Sequence, residues 1–496
     1  MSTSRKFPTE LKEIKYEIEG YAKEFGLDFF DVIFEMLDYK EMSETAAYGG
    51  FPVRYPHWRF GMEYERLSKG YSYGLQKIYE MVINNDPCYA YLLKSNNLVD
   101  QKLVMAHVYA HCDFFKNNLW FSKTNRKFLD QMANHATRIR EYIDHHGLDA
   151  VEDFIDTCLS LEELIDYHGQ FIKRVEDDRG DILKDDETIE EELVLHKLRT
   201  KSYMDTFVNP PEFIKEQKEK IKAEKEKRAE KEKRMITIDN ERDILEFLIQ
   251  NAPLEGWQRD ILSIVREEAY YFAPQKQTKI MNEGWASYWH SRIITERALR
   301  DSEIIDFADR HAGTMGKRPG VINPYKVGME LFRDIEDRWN KGRFGGEYEE
   351  CKDALEKKKW DKHLGLGRQK IFEVRRIYYD IGFVDEFLTE EFCKEHELFN
   401  YEYVKEDDVY AISNRDFDNI KEKLLFQLTN FGKPIVLLKD ANYNNAGELF
   451  LAHQDSGINM EMDYAKATLK NIHKIWKRPV HLETYESGSR IEMSHP

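Results

Sequence analysis

The chain of 496 residues carries a net charge of -18 at pH 7, and 41% of its residues are hydrophobic while 33% are charged. At about 100–200 residues per domain, this length accommodates two to four domains. The acidic balance argues against broad binding to nucleic acid or to an anionic membrane, because both require clustered positive charge. No run of about 18 apolar residues occurs and residues 1–10 contain no apolar signal region, so we expect a cytoplasmic protein without a transmembrane helix.

The cysteines indicate a reducing compartment. They are odd in number, widely spaced and without a C-x-x-C pair, so the sequence predicts neither a disulfide framework nor a zinc ribbon. The five are Cys88, Cys112, Cys158, Cys351 and Cys393.

Apolar periodicity in the first part of the chain is mostly helical. Asn97 is a suitable N-cap, with Asp100 in the first turn, for a helix that contains His107 and His111. The interval 48–73 is rich in aromatic residues and glycine, which indicates an irregular packed loop. The predicted helices of this part span 11–37, 97–115, 125–145 and 150–160.

A run of charged residues, KEQKEKIKAEKEKRAEKEKR, occupies 215–234. It has almost no apolar face, so it is either a solvated helix with i,i+4 ion pairs or a flexible linker. Beyond it the pattern is helical again, with an expected break at Pro274. The further predicted helices span 244–249, 257–272, 279–299, 331–339 and 370–387.

From about residue 399 the apolar period changes to that of an α+β domain. The order β-α-β-β-α-β is the split-βαβ, ferredoxin-like arrangement, with two helices on one face of an antiparallel sheet. Its predicted strands are 409–412, 435–439, 448–453 and 480–485, and its helices are 417–431 and 460–476. The fold class is therefore a mainly α N-terminal body with a C-terminal α+β domain, divided as 1–213, 214–235, 236–398 and 399–496.

His107 and His111 are the first candidates for chemistry. Four residues apart on a helix, two imidazoles share a face and can bind one metal ion. In H-E-x-x-H metalloproteases a glutamate base follows the first histidine, but here that residue is Val108. The alternative interpretation of any H-x-x-x-H pair is structural.

The segment MNEGWASYWH supplies the second set of candidates, Glu283, Ser287 and His290, which recur on one helical face. Glu283 would complete a three-ligand site with an open position for water. His290 would be a fourth ligand, a partner of a ligand or a proton carrier. The alternative is that Glu283 caps a helix and that His290 is a satisfied core histidine.

Long stretches such as YPHWRFG, AHVYAHCDFFKNN, KIMNEGWASYWH and INPYKVG resemble the SpoVR family, the stage V sporulation protein R-like proteins. The resemblance extends from about residue 11 to 483. It implies a bacterial cytoplasmic protein that acts in spore cortex formation in spore formers and in a stress or stationary-phase process elsewhere. It also implies two partners, a PrkA-like serine kinase and a von Willebrand-type protein.

A second resemblance concerns the site alone. EGWASY is similar to the EGWA-type segment of certain gluzincin metallopeptidases, and this implies that His107, His111 and Glu283 bind Zn²⁺ in a zincin-like body. Val108 occupies the usual position of the base, and Glu267 or Glu268 could replace it.

Three hypotheses follow from these residues. The first is a zinc-dependent hydrolase or amidase with His107, His111 and Glu283 as ligands and with Glu268 and His290 as catalytic residues. The second is a non-catalytic scaffold that binds partners through the C-terminal domain. The third is a non-haem iron or redox enzyme that uses a wider histidine set.

Overall fold

The computed structural model describes residues 7–73, 77–172, 240–316, 319–405, 408–486 and 488–496. The chain divides into two compact units, each built from two stretches: Met1–Asp156 with Glu267–Lys433, and Thr157–Arg266 with Pro434–Pro496. The charged run at 215–234 lies outside the described residues, and the four-part division made from the sequence stays a prediction. In the described part of the chain, no helix is both long and apolar enough to cross a membrane.

The first unit is mainly helical and the second contains a four-stranded sheet. The α-helices are α1 (Thr9–Glu24), α2 (Tyr39–Ala47), α3 (Trp58–Ser72), α4 (Leu98–Asn117), α5 (Phe128–His146), α6 (Leu148–Leu159), α7 (Ile244–Asn251), α8 (Gly256–Gln277), α9 (Lys279–Ile293), α10 (Ile304–Thr314), α11 (Pro324–Lys341), α12 (Gly346–Glu350), α13 (Ala354–Lys359), α14 (Gly367–Ile377), α15 (Asp380–Phe387), α16 (Glu390–His396), α17 (Phe417–Leu428) and α18 (Met462–Trp476).

The strands form three sheets in the described residues. The strands are β1 (Val32–Leu37), β2 (Glu80–Ile83), β3 (Cys88–Leu93), β4 (Asn400–Val404), β5 (Val409–Asn414), β6 (Ile435–Tyr443), β7 (Glu448–Gln454), β8 (Val480–Glu486) and β9 (Ser489–His495). In the first unit, β3 pairs in parallel with β1 and antiparallel with β2, and β4 and β5 form a separate antiparallel pair. In the second unit the order is β6-β7-β8-β9, with only the central pair parallel.

Two predictions in the first part of the chain were wrong. The helix expected over 11–37 ends at Glu24, and the apolar residues that follow form the buried strand β1. The interval 48–73, expected to be irregular, contains α3, which His57 caps by accepting a hydrogen bond from the Arg59 amide. In both places, aromatic and apolar residues packed by tertiary contacts override the local pattern.

The expected break at Pro274 does not occur, since α8 continues through it to Gln277. The helix predicted over 370–387 is two helices, α14 and α15. The helices predicted over 97–115, 125–145 and 150–160 are confirmed as α4, α5 and α6, and α4 begins where Asn97 accepts a hydrogen bond from the Asp100 amide.

The split-βαβ arrangement of the C-terminal region also needs correction. The strand predicted over 409–412 is β5, and it pairs with β4 in the first unit instead of joining the C-terminal sheet. The fourth strand of that sheet is β9, which the sequence pattern missed because its residues, SRIEMSH, are largely polar and exposed. What is confirmed is coarser: a mainly helical protein with a C-terminal region of four strands.

Helix α4 lies in the main core of the first unit. It is buried over nearly its whole length, and α1 and α9 pack against it. A helix that is buried all round carries mostly hydrophobic residues on every side, because little of it faces solvent. The polar residues that it does contain, including both histidines, are therefore held inside the protein.

Helices α9 and α11 cross at a pair of glycines. A Cβ atom added to Gly284 would lie 2.4 Å from the Gly328 backbone, and one added to Gly328 would lie 2.1 Å from the Ile280 carbonyl oxygen. Only two residues without side chains permit backbones to approach so closely. The contact fixes α11 against the turn of α9 that carries Glu283.

We predict that Gly328→Ala destabilises the protein by about 1–3 kcal/mol, because the new methyl group has no space and the helices must separate. Urea denaturation of the full chain measures this change. Gly20→Ala is the matched control: Gly20 is also helical, but nothing lies within 4 Å of its added Cβ. That variant should be more stable by about 0.5–1 kcal/mol, and equal effects at both positions would contradict the packing argument.

Candidate metal centre

The candidate ligands lie on two buried helices, α4 and α9. On α4, His107 and His111 are one turn apart, and their ring centroids are 4.5 Å from each other. Glu283 lies in the second turn of α9. The start of α9 is held by the Asp380 carboxylate, which accepts hydrogen bonds from the amides of Ile280 at 2.8 Å and Met281 at 2.9 Å.

The three side chains predicted from the sequence come together. Glu283 Oε2 lies 3.6 Å from His107 Nε2 and 3.6 Å from His111 Nε2. One ligand atom from each residue can be chosen so that all three lie within 4.8 Å of one another. For comparison, ligands about 2.1 Å from a tetrahedral metal ion are about 3.4 Å apart.

The Nδ1 atoms of the two histidines are engaged elsewhere. His111 Nδ1 is 2.9 Å from Asn282 Oδ1, and because an amide oxygen only accepts, His111 donates through Nδ1 and keeps its Nε2 lone pair. His107 Nδ1 is 2.9 Å from His290 Nδ1. Both rings therefore present Nε2 to Glu283, while a contact at Nδ1 holds each ring in its orientation. This is the usual arrangement of metal-ligating histidines.

Burial and neighbouring charges set the ionisation of the cluster. Burial, together with the proximity of His107, lowers the pKa of His111 to about 4, so its imidazole is neutral at pH 7. Burial opposes ionisation of Glu283, but the two histidines outweigh it and lower its pKa. Glu283 Oε2 is nevertheless buried without a hydrogen-bond partner among the described residues. Two imidazoles, of which His111 is neutral, and a carboxylate with an unsatisfied oxygen are a donor set that fits a divalent cation.

One of the three candidate ligands, His107, lines a cleft of about 640 Å³. Tyr325, near the start of α11, stacks beside His107 with ring centroids 6.2 Å apart. Burial and the charges of Glu283 and Glu80 raise the pKa of Tyr325, so its hydroxyl stays protonated. The cleft is lined by Tyr79, Glu80, Asp100, Leu103, Val104, His107, His290, Asp309, Arg310, Gly313, Thr314, Asn323, Pro324 and Tyr325.

His290, predicted as a catalytic residue, lies in this cleft and is almost fully buried. Burial lowers its pKa well below the ordinary value, and His107 adds to that effect. Ser287, on the same face of α9, is completely buried, and its hydroxyl has no hydrogen-bond partner in the described part of the chain.

Glu268 has a different environment. Its Oε2 accepts a hydrogen bond from Arg54 at 2.8 Å, and its Oε1 lies 3.6 Å from His135 Nδ1. Glu267 accepts from the other nitrogen of His135 at 3.1 Å. None of these contacts includes a candidate ligand, so the catalytic role of Glu268 stays a prediction that this geometry does not support.

Sequence reasoning missed Glu80 and Tyr325. Glu80 begins a four-residue strand, and Tyr325 belongs to a helix far along the chain from both histidines. Neither residue shares a helical face with His107, and periodicity within one element cannot reveal a neighbour on another.

The ion network around His135 predicts a specific pH dependence of stability. Burial disfavours a charge on His135, but the hydrogen bond to Glu267 and the nearby carboxylate of Glu268 outweigh it and raise its pKa above 6.5. The stabilisation is therefore complete below pH 6.5 and is lost as the pH rises through the folded-state pKa. In urea denaturation with chelator present, His135→Gln should lose less stability between pH 6 and pH 8.5 than the unchanged protein. His145→Gln, at an exposed position of the same helix, should behave as the unchanged protein does, and identical pH profiles for all three would refute the assignment.

Comparison with known proteins finds related sequences over nearly the whole chain. The family model described as SpoVR like protein matches residues 6–433, and the SpoVR-like C-terminal domain matches residues 435–487. The chain is also 29% identical over 509 residues to YcgB of Escherichia coli (strain K12), described as an uncharacterized protein, with 96% of this chain and 92% of YcgB covered. No solved structure gives a significant match. The chain belongs to the SpoVR family.

Proposed function

We propose that this protein is a metal-dependent hydrolase acting on an amide bond, and that His107, His111 and Glu283 hold one zinc ion. The observation that carries the proposal is the position of Glu283 Oε2, 3.6 Å from the Nε2 atom of each histidine. Two histidines and one carboxylate leave a coordination position open, as catalytic zinc sites do. The bound ion would supply an activated water molecule or a polarised carbonyl group.

Residues around the cluster would orient the reaction. Asn282 and His290 hold the two imidazoles through Nδ1, so that both Nε2 atoms point to one place. Tyr325 lines the cleft, where its protonated hydroxyl can donate to a substrate oxygen. His290 is the buried imidazole of the cleft and is our candidate for proton transfer.

Metal analysis of the purified full chain tests the proposal. After incubation with zinc and removal of the excess, we expect about one zinc ion per chain. Glu283→Gln and His111→Ala should lose it while keeping their circular dichroism spectra, whereas His145→Ala, outside the cluster, should keep it. A folded protein that binds no metal would contradict the hydrolase and favour the scaffold hypothesis. Stoichiometric iron with an oxygen-dependent spectral change would favour the redox hypothesis.

Asn282 gives a graded test of the same site. Asn282→Ala removes the partner of His111 Nδ1 without removing a ligand, so zinc affinity should fall by about 10–100-fold and not disappear. Competition with a coloured chelator measures this change. An unchanged affinity would mean that Asn282 does not orient a ligand.

The biological setting is proposed from resemblance to the family. It consists of a cytoplasmic role in spore cortex formation or in a stress response, together with a PrkA-like kinase and a von Willebrand-type protein.

A further inference from the structure

The charges lining the cleft are unbalanced. Four charged side chains line it besides the imidazoles: Glu80, Asp100, Asp309 and Arg310. Arg310 Nε pairs with Asp100 Oδ1 at 3.0 Å, and Asp100 is buried at the start of α4. The opposite charges of Arg310 and Asp100 therefore cancel. Glu80 and Asp309 remain as carboxylates for which the described residues provide no lysine or arginine partner.

Glu80 is the inner of the two carboxylates. It is half-buried and shares the cleft with His107 and Asp100, whereas Asp309 is exposed. Burial raises the pKa of Glu80, and the charges of Glu283 and Asp100 add to this effect against the influence of His107. In these surroundings the carboxyl group lacks a positive partner, and a bound cation would favour its ionised form.

A second feature points to a ligand at the same place. His290 is only 2% exposed and lines the cleft, yet its Nε2 has no hydrogen-bond partner among the described residues. Buried polar atoms are nearly always paired, so an unpaired one beside a cavity indicates a group supplied from outside.

We infer that the cleft binds a substrate bearing a protonated amine, with Glu80 as the anchor of the ammonium group beside the scissile amide. This inference rests on the proposed function. An ammonium group has three donors and no acceptor, so it suits a carboxylate that has no cation of its own. His290 Nε2 is then available to a polar atom of the same substrate.

The competing hypothesis is that the cleft binds a substrate carboxylate through Arg310. The guanidinium is already engaged through Nε with a buried aspartate, and the neighbouring residue in the chain is Asp309. An anion there would meet two uncompensated carboxylates in the cleft. The charges therefore favour the amine.

Three hydroxamates, which bind zinc directly, separate these choices in calorimetric titrations of the zinc-loaded full chain at pH 7.5. Leucine hydroxamate carries the amine, isocaproic hydroxamate has the same skeleton without it, and succinic monohydroxamate carries a carboxylate. We expect leucine hydroxamate to bind at least about tenfold more tightly than isocaproic hydroxamate, the gain from a charge-assisted hydrogen bond.

Glu80→Gln should abolish this preference while leaving zinc content and the affinity for isocaproic hydroxamate unchanged. Asp306→Asn is the matched control, since Asp306 is exposed on α10 and does not line the cleft. This variant should keep the preference for the amine.

Three results would overturn the inference but leave the metal site intact. They are equal binding of leucine and isocaproic hydroxamates, a preference that survives Glu80→Gln, and tighter binding of the succinic compound. A second zinc ion lost in Glu80→Gln would instead make Glu80 a metal ligand. Failure to bind zinc would remove the proposed function and this inference with it.

Discussion

The backbone contact between Gly284 and Gly328 determines the position of the groups around the candidate metal centre. Gly284 directly follows Glu283 on α9, and Gly328 is three residues beyond Tyr325 on α11. Because neither glycine has a side chain, the two helices approach until an added Cβ atom would overlap the opposite backbone. The same approach places Tyr325 beside His107, where it forms part of the cleft wall. A larger residue at either position would separate the carboxylate from its neighbours without changing any polar group.

A buried polar contact joins α9 to α4 on the other side. Asp113, two residues after His111, accepts a hydrogen bond at 2.8 Å from the indole nitrogen of Trp285, two residues after Glu283. Burial raises the pKa of Asp113 to about 6, although Arg375 at 3.2 Å opposes the rise. The successive residues Glu283, Gly284 and Trp285 thus have three different partners: the histidine pair, α11 and Asp113. This explains physically why glutamate, glycine and tryptophan stand together in this segment.

The sequence predicted those parts of the site that lie within one element or within a long recognisable segment. Spacing along a helix was enough to pair His107 with His111, and the resemblance of EGWASY added Glu283 from α9. Glu80 could not be predicted, because β2 is short and reaches the cleft only through its pairing with β3. The same limit explains the errors in the fold. Phe34 and Leu37 have a spacing that suits a helix, but parallel pairing with β3 makes them part of a strand.

Val108 occupies the position at which H-E-x-x-H enzymes carry their general base, and it therefore restricts the mechanism of the proposed hydrolase. It is completely buried in α4, a helix enclosed by the core on nearly all sides. A glutamate there, as in H-E-x-x-H enzymes, would be an ionised group without a partner in an apolar environment, which is strongly unfavourable. In the proposed hydrolase, proton transfer would therefore have to come from another residue, and the ionisable groups that line the cleft beside His107 are on β2, α4, α9, α10 and α11. The proposed site thus keeps the ligand spacing of a metallohydrolase, but its remaining polar groups would come from the walls of the cleft and not from the helix that carries the histidines.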